Sequence, residues 1–179
     1  MVKLRVVLLA LAAACSGADP AAVPADAGGG EVLVRWNDGD TVNISLEAPG
    51  LARWCADGHW LELSAVDTDT GVMLALFPPE SLVTGSYPVG RPVRADSLRP
   101  RPGATLGVRW FTPGLVAAFR GWEGSVELTA VDRAVSGEQT VSGRLQASAA
   151  AAGGAEGSIV VEGEFDRVPV AAADSGCGR

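Results

Sequence analysis

The stretch EVLVRWNDGDTVNISLE, residues 31–47, decides the fold. Apolar side chains occupy every second position on either side of its centre: Val32, Val34 and Trp36, then Val42, Ile44 and Leu46. A period of two places these side chains on one face of an extended strand. The centre contains Asp38-Gly39, a pair that tolerates the positive φ angles of a tight hairpin turn. The stretch therefore predicts two antiparallel strands, each with one buried face.

The same alternation continues along the chain. It predicts further strands at 59–66, 72–77, 82–89, 104–111, 115–122 and 125–131. The last two predicted strands share the form Val-x-Gly-x-large apolar, in 141–145 and 161–165, and a loop at 149–157 separates them. We expect them to lie side by side as a hairpin. A glycine inside a strand usually marks a close backbone approach or a bend.

The helical spacing of i, i+3 and i+4 is absent after the N-terminal segment. About nine or ten short strands separated by turns predict an all-β domain over residues 31–179. The leading prediction is a single antiparallel β-sandwich, and the alternative is a β-barrel of the lipocalin-like type.

The first fourteen residues differ from the rest. Lys3 and Arg5 precede an apolar run that is too short to span a membrane, and small residues then lead to Cys15. This pattern predicts a secretory signal peptide at 1–14. Residues 15–30 hold mostly Ala, Gly, Pro and Asp after the cysteine, a composition that predicts a flexible linker.

The segment Leu11-Ala-Ala-Ala-Cys15 resembles the lipobox of bacterial lipoproteins. In that family the cysteine carries the lipid, with palmitate among its acyl chains, and becomes the mature N-terminus. Leu11 lies four places before the cysteine, whereas the family usually has leucine three places before it. The alternative is ordinary cleavage after Ala14, because Ala12-x-Ala14 also fits a signal-peptidase site. The residue after the cysteine is Ser16 and not aspartate, and by the family's sorting rule this favours an outer membrane, facing the periplasm or the exterior.

Charge excludes one class of partner. Without residues 1–14 the chain has 12 basic and 21 acidic residues, a net charge of −9. Nucleic acid requires a basic surface, so we expect none as a partner. The expected partners are the membrane, through the lipid, and another envelope protein or a glycan.

Short strand motifs carry a second resemblance. They are Gly85-Ser-Tyr87, Gly124-Ser-Val-Glu-Leu128, Val141-Ser-Gly143 and Gly163-Glu-Phe165. Together they resemble those of a group of uncharacterised all-β bacterial lipoproteins. The resemblance covers about half of the chain and implies a fold and a location, but no activity.

Two cysteines remain if Cys15 carries lipid. Cys55 and Cys177 are then expected to form a disulfide, because an exported protein folds under oxidising conditions. The alternative is two unpaired thiols. The bond would tie the Gly-rich C-terminal segment to the sheet.

Two sets of residues are candidates for ligand binding. Trp54, Trp60, Trp110 and Trp122 would stack on sugar rings or on a partner if exposed, although tryptophan also fills cores well. Asp67-Thr-Asp69-Thr-Gly71 is similar to the start of a calcium loop, but it lacks the later ligands. A hairpin turn explains the same residues.

The motifs of catalysis and of cofactor binding are missing. His59 is the single histidine, so the chain lacks a multi-histidine metal site, and Gly-x-Ser-x-Gly, Cys-x-x-Cys and phosphate-binding loops are absent as well. We expect no cofactor and no enzyme activity. The leading hypothesis is a non-catalytic cell-envelope lipoprotein with a structural or protein-interaction role. The alternative is a module that binds carbohydrate or calcium, and a hydrolase is a third hypothesis.

Overall fold

In the computed structural model of the chain, the described residues are 30–37, 43–55, 59–90, 101–112, 115–153 and 156–173. They form nine strands: β1 (Glu31–Asn37), β2 (Asn43–Cys55), β3 (Trp60–Asp67), β4 (Thr70–Phe77), β5 (Gly85–Pro88), β6 (Gly103–Thr112), β7 (Leu115–Arg133), β8 (Gln139–Ala151) and β9 (Ser158–Ala173). The prediction of an all-β domain is confirmed. The predicted signal peptide and the linker up to residue 29 lie outside the described residues.

Eight strands form a closed antiparallel barrel in the order β1-β2-β3-β4-β6-β7-β8-β9, and β9 pairs with β1 to complete the ring. The prediction of a β-sandwich is therefore wrong, and its alternative, a β-barrel, is confirmed. Both architectures bury one face of each strand, so the period-two pattern does not separate them. Closure depends on β7, which pairs with β6 over its first residues and with β8 over most of its length.

Several strands are longer than the sequence pattern predicts, and β9 is among them with sixteen residues. The separate strands predicted at 115–122 and 125–131 form the single strand β7, with a register shift between Gly121 and Glu123. Such a bulge bends a strand without ending it. β2 runs on to Cys55, and β8 includes Ala149 to Ala151, which the sequence pattern placed in a loop.

The barrel interior is filled by apolar side chains. Inward-facing residues from all eight barrel strands form one cluster, which includes Val34, Leu63, Leu74 and Phe165. No polar or charged residue of the described part of the chain is buried. An eight-stranded barrel is just wide enough for its side chains to fill it, and this one is filled.

The last two strands form the predicted hairpin. β8 pairs with β9 so that Gly143 lies opposite Phe165, and Leu145 lies opposite Gly163. Gly143 thus makes room for Phe165 across the ladder, whereas Gly163 makes room for Val34 on the adjacent strand β1, whose Cγ2 would lie 2.8 Å from an added Cβ. A Cβ atom on Gly143 would lie 2.5 Å from Cζ of Phe165 and 2.4 Å from a backbone oxygen. The close approach expected of these glycines is confirmed.

The two ends of the barrel differ in how the chain closes them. The mouth is the end where β1, β3, β6 and β8 finish. At the opposite, closed end, β5 pairs with the second half of β7, and Val89 bridges to Ala104. The buried hydroxyl of Tyr87 on β5 donates a hydrogen bond of 2.7 Å to the carbonyl of Val83. This arrangement is a tyrosine corner, which fixes the chain segment that leads into a strand.

Beyond the start of β1, its two neighbours come together. The end of β2 pairs in parallel with the end of β9, so that Cys55 lies opposite Ala173. Gly50 donates its N–H to the carbonyl of Gly30 at 2.8 Å, just where β1 begins. The closed end therefore brings the first and the last described residues of the chain to the same side of the barrel.

Candidate functional site

The mouth contains a ladder of aromatic rings. Trp36 lies with its ring centroid 5.6 Å from that of Trp110, which is stacked on Phe119 at 5.0 Å with an interplanar angle of 6°. Trp36 is only 2% exposed, and its Nε1 is buried without a hydrogen-bond partner. An unpaired buried N–H costs about 1–3 kcal/mol, so its position is unusual for a core residue.

A groove of 710 Å³ opens beside Trp36. Ile44 and Ile159 supply its apolar lining, while Asn37, Asn43 and Glu162 supply polar groups. The Asn37 amide donates to Oδ1 of Asn43 at 3.2 Å. An apolar floor with a few amide and carboxylate groups at the rim is typical of a small-ligand site.

The structure does not bring the four predicted tryptophans together. Trp110 lies at the mouth in the aromatic ladder. Trp54 is half-buried against the core, and Trp60 packs near Phe77 at the closed end, with a centroid distance of 6.1 Å. Trp122 points outward beside the β7 bulge and is 42% exposed. These residues therefore do not form one stacking surface, and Trp36 was not among the predicted ligand-binding residues.

The calcium candidate lies in a tight turn. Asp67 pairs with Thr70, and Thr68 and Asp69 form the turn between β3 and β4, with a φ of 33° at Thr68. The Thr68 hydroxyl donates to the Asp67 carboxylate at 3.1 Å. Within the described residues, no group of three His, Cys, Asp or Glu side chains is placed to hold a metal ion. His59 is exposed in another turn, before β3.

Cys55 is disulfide-bonded. Both Cys15 and Cys177 lie outside the described residues, so the pairing with Cys177 stays a prediction. The position of β9 supports it, because Ala173 lies opposite Cys55. The four residues that follow Ala173 can span up to about 14 Å when extended. This length is sufficient to place Cys177 within the 4.4–6.8 Å that separates the Cα atoms of a disulfide.

One outer wall of the barrel is rich in carboxylates. We define the acidic wall as the outward-facing residues of β1, β9, β8 and the adjoining parts of β2 and β7. Its charged residues include Glu31, Glu47, Glu127, Glu162, Glu164 and Asp166, with Arg35, Arg144 and Arg167. Pairing across five strands produces the row Glu47, Leu33, Glu164, Arg144, Glu127. Two shallow grooves of 500 and 410 Å³ run along this wall.

The acidic wall perturbs two of its own carboxyl groups. The pKa of Glu31 is raised above the ordinary value of 4.5, because protonated Glu31 donates a hydrogen bond to the Glu47 carboxylate and the negative charge of Glu47 disfavours its ionisation; smaller contributions come from burial and from the charge of Glu164. The pKa of Asp166 is lowered from 3.8, because Ser142 and Arg167 donate to its carboxylate. The first shift reports crowding of negative charge, which a cationic partner would relieve.

No family model, no curated protein and no solved structure matches this chain. Among the described residues, no helix is long and apolar enough to cross a membrane.

Proposed function

We propose that the protein is a non-catalytic lipoprotein of the cell envelope, anchored through Cys15, with a structural or protein-interaction role. The observation that carries the proposal is the filled barrel. The interior holds only apolar side chains, and every charged side chain of the described residues lies on the outside. A barrel of this kind presents its walls, and not its interior, to other molecules.

The acidic wall supports the interaction role. Its carboxylates outnumber its arginines, and two grooves lie on it. Complementary charge accelerates association and selects among partners. The partner that suits this wall is an envelope protein that presents lysine or arginine side chains.

The first experiment tests the anchor. Cells expressing the full chain are fed a palmitate analogue, and labelled protein is followed through membrane fractionation. We expect label in the outer-membrane fraction, its loss in Cys15→Ala, and its retention in the control Ser16→Ala. Label that persists in Cys15→Ala contradicts anchoring through this residue.

The second experiment tests the interaction role. A photoreactive amino acid replaces Gln146 on the acidic wall, and in a control it replaces Thr105 on the opposite wall. We expect a cross-linked product of defined mass from Gln146 only, and its loss when Glu164→Lys reverses one charge. The absence of any product from Gln146 in cells contradicts the interaction role of this wall.

A small-ligand module is the second candidate, and the groove beside Trp36 favours it. The apolar side chains of Ile44 and Val160 and the amides of Asn37 and Asn43 suit one face and the hydroxyl groups of a sugar ring. Glycan arrays and calcium titration test this alternative. Glycan binding that is lost in Asn43→Ala would favour it, whereas calcium binding lost in Asp69→Ala would point to the β3–β4 turn.

A further inference from the structure

The wall opposite the acidic wall is apolar. It consists of the outward-facing residues of β3, β4, β6 and the first part of β7, and we call it the apolar wall. Four large side chains on it are about half exposed: Val66 at 58%, Met73 at 52%, Phe111 at 46% and Val116 at 56%. The β6–β7 ladder places Phe111 directly opposite Val116. Such a patch marks a site of contact with a protein or a membrane.

Small residues keep the apolar wall flat. Gly71 lies between Val66 and Arg109 across the strands, and Gly107 lies between Met73 and Arg120. A Cβ atom on Gly107 would meet nothing within 4 Å, so packing within the barrel does not require glycine at this position. Because no side chain projects from Gly107, a broad, flat surface can contact the apolar side chains beside it.

The unpaired charges in the middle of the apolar wall are positive, because the carboxylate of Glu62 on β3 already forms an ion pair of 2.6 Å with Arg53 of β2. We call two rows of paired residues across the wall its central rows: Val66-Gly71-Arg109-Ala118 and Ser64-Met73-Gly107-Arg120. Their charged residues are Arg109 and Arg120, and neither forms an ion pair with a described residue. The Arg109 guanidinium lies 5.9 Å from the centroid of the Phe111 ring. Carboxylates bound the wall at the β3–β4 turn, in Asp67 and Asp69. Two unpaired guanidinium groups beside apolar side chains suit a surface that carries phosphate groups.

The barrel therefore has two chemically opposite sides. In the ring of strands, β1 and β9 lie across from β4 and β6. A chain with a mature net charge of −9 is repelled by an anionic surface unless its acidic side faces away. The strand order places the acidic wall on the side of the barrel opposite the apolar wall.

We propose that the apolar wall lies on the surface of the anionic bilayer to which Cys15 tethers the protein. This inference rests on the proposed lipid anchor. Fourteen residues separate Cys15 from Gly30. A flexible linker, as the composition of these residues predicts, would span about 20 Å on average, which lets the wall reach the headgroups. Phe111, Val116 and Met73 enter the interfacial region, and Arg109 and Arg120 bind lipid phosphates.

A second copy of the chain fits the wall less well. Two apolar walls packed face to face would bring four arginines together without a carboxylate from the central rows. Like charges placed in this way weaken an interface.

The test uses the full-length lipidated chain reconstituted into phosphatidylcholine vesicles with and without phosphatidylglycerol. Val116→Cys is labelled with a polarity-sensitive fluorophore, and the matched control Gln146→Cys carries the same label on the acidic wall. Quenching by spin-labelled headgroups measures proximity to the bilayer. We expect quenching that is several-fold stronger at residue 116 than at residue 146, and only in vesicles with phosphatidylglycerol. Equal quenching at the two positions overturns the proposal.

A charge-matched pair of variants tests the arginines. In the non-lipidated Cys15→Ala chain, Arg109→Ala with Arg120→Ala lowers partitioning onto phosphatidylglycerol vesicles by about five-fold for each arginine. The control Arg35→Ala with Arg144→Ala removes the same charge from the acidic wall and does not lower partitioning. Circular dichroism checks the fold of each variant. Equal losses in the two pairs overturn the proposal.

Separate readouts distinguish this inference from the lipid anchor. If wild-type protein takes no palmitate label but the Cys15→Ala chain still partitions through Arg109 and Arg120, the anchor fails and the wall assignment stands. If sedimentation shows a dimer and the residue 116 label is shielded without vesicles, a second copy covers the wall and the bilayer assignment is wrong.

Discussion

Replacing Tyr87 with phenylalanine removes one buried hydroxyl and leaves the ring in place. The hydroxyl donates to the carbonyl of Val83 at 2.7 Å and accepts the N–H of the same residue at 3.4 Å. A net hydrogen bond contributes about 0.5–1.5 kcal/mol, and an unsatisfied buried partner adds to the loss. We expect Tyr87→Phe to lower the free energy of unfolding by about 1.5 kcal/mol and Tm by about 3–6 °C.

Urea denaturation of the full chain, followed by tryptophan fluorescence, measures the loss. Val83→Ala is the matched control, because it keeps the backbone acceptor and removes only a half-exposed side chain. We expect the control to change stability by no more than about 0.5 kcal/mol. A loss in Tyr87→Phe no greater than in the control would refute the structural role of the corner.

The same hydroxyl predicts an alkaline effect. Burial raises the pKa of Tyr87 above its ordinary value of 10.0, although the hydrogen bond with Val83 partly opposes the shift. The unfolded chain therefore releases this proton first, and the free energy of unfolding falls as the pH rises above about 10. Tyr87 is the only tyrosine, so phenolate absorbance follows it alone. Titration at the ordinary pKa in the folded protein would refute the burial argument.

Three further predictions concern the acidic wall, the β8–β9 hairpin and the disulfide. Glu47→Gln returns the pKa of Glu31 toward its ordinary value, because it removes the carboxylate that accepts a hydrogen bond from protonated Glu31 and whose charge disfavours ionisation of Glu31; carboxyl carbon NMR measures this, and an unchanged pKa contradicts the assignment. Gly143→Ala lowers the free energy of unfolding by about 1–3 kcal/mol, because the added Cβ overlaps an aromatic ring and a backbone oxygen; a fully stable variant in thermal denaturation contradicts the packing. An unreduced tryptic digest yields linked peptides that contain Cys55 and Cys177, and reduction lowers stability by up to about 4–5 kcal/mol; Cys55 linked to Cys15 instead would show that the predicted partner is wrong.

The period-two pattern predicted most strands because each barrel strand buries one face. In residues 31–37 the predicted inward set and the buried set agree at Val32, Val34 and Trp36. The pattern failed where a strand continues through a bulge. Gly121 and Glu123 flank a register shift in β7 that reads in the sequence as a break between two strands. The closure of the barrel depends on that continuity, so the sequence pattern left sandwich and barrel unresolved.

Signals for the two walls are present in the sequence but incomplete. Glu162, Glu164 and Asp166 alternate along β9, which predicts one acidic strand face. The neighbouring Glu47 and Glu127 are more than thirty residues away in the chain and join this face only through strand register. Register depends on turns and bulges throughout the barrel, and a single sequence specifies these poorly. Because the register was not predictable, the sequence did not indicate that Trp36 and Trp110 lie next to each other at the mouth.

The position of β1 determines how the barrel responds to mechanical force. β1 lies between β2 and β9, runs antiparallel to both, and has seven paired positions with each neighbour. Its first residue follows Gly30, on the side from which the proposed tether extends. Tension applied there along the strand loads both ladders in shear, so many hydrogen bonds must break together, whereas peeling an edge strand breaks them one at a time. A pull along the proposed tether would therefore load the β1–β2 and β1–β9 ladders together.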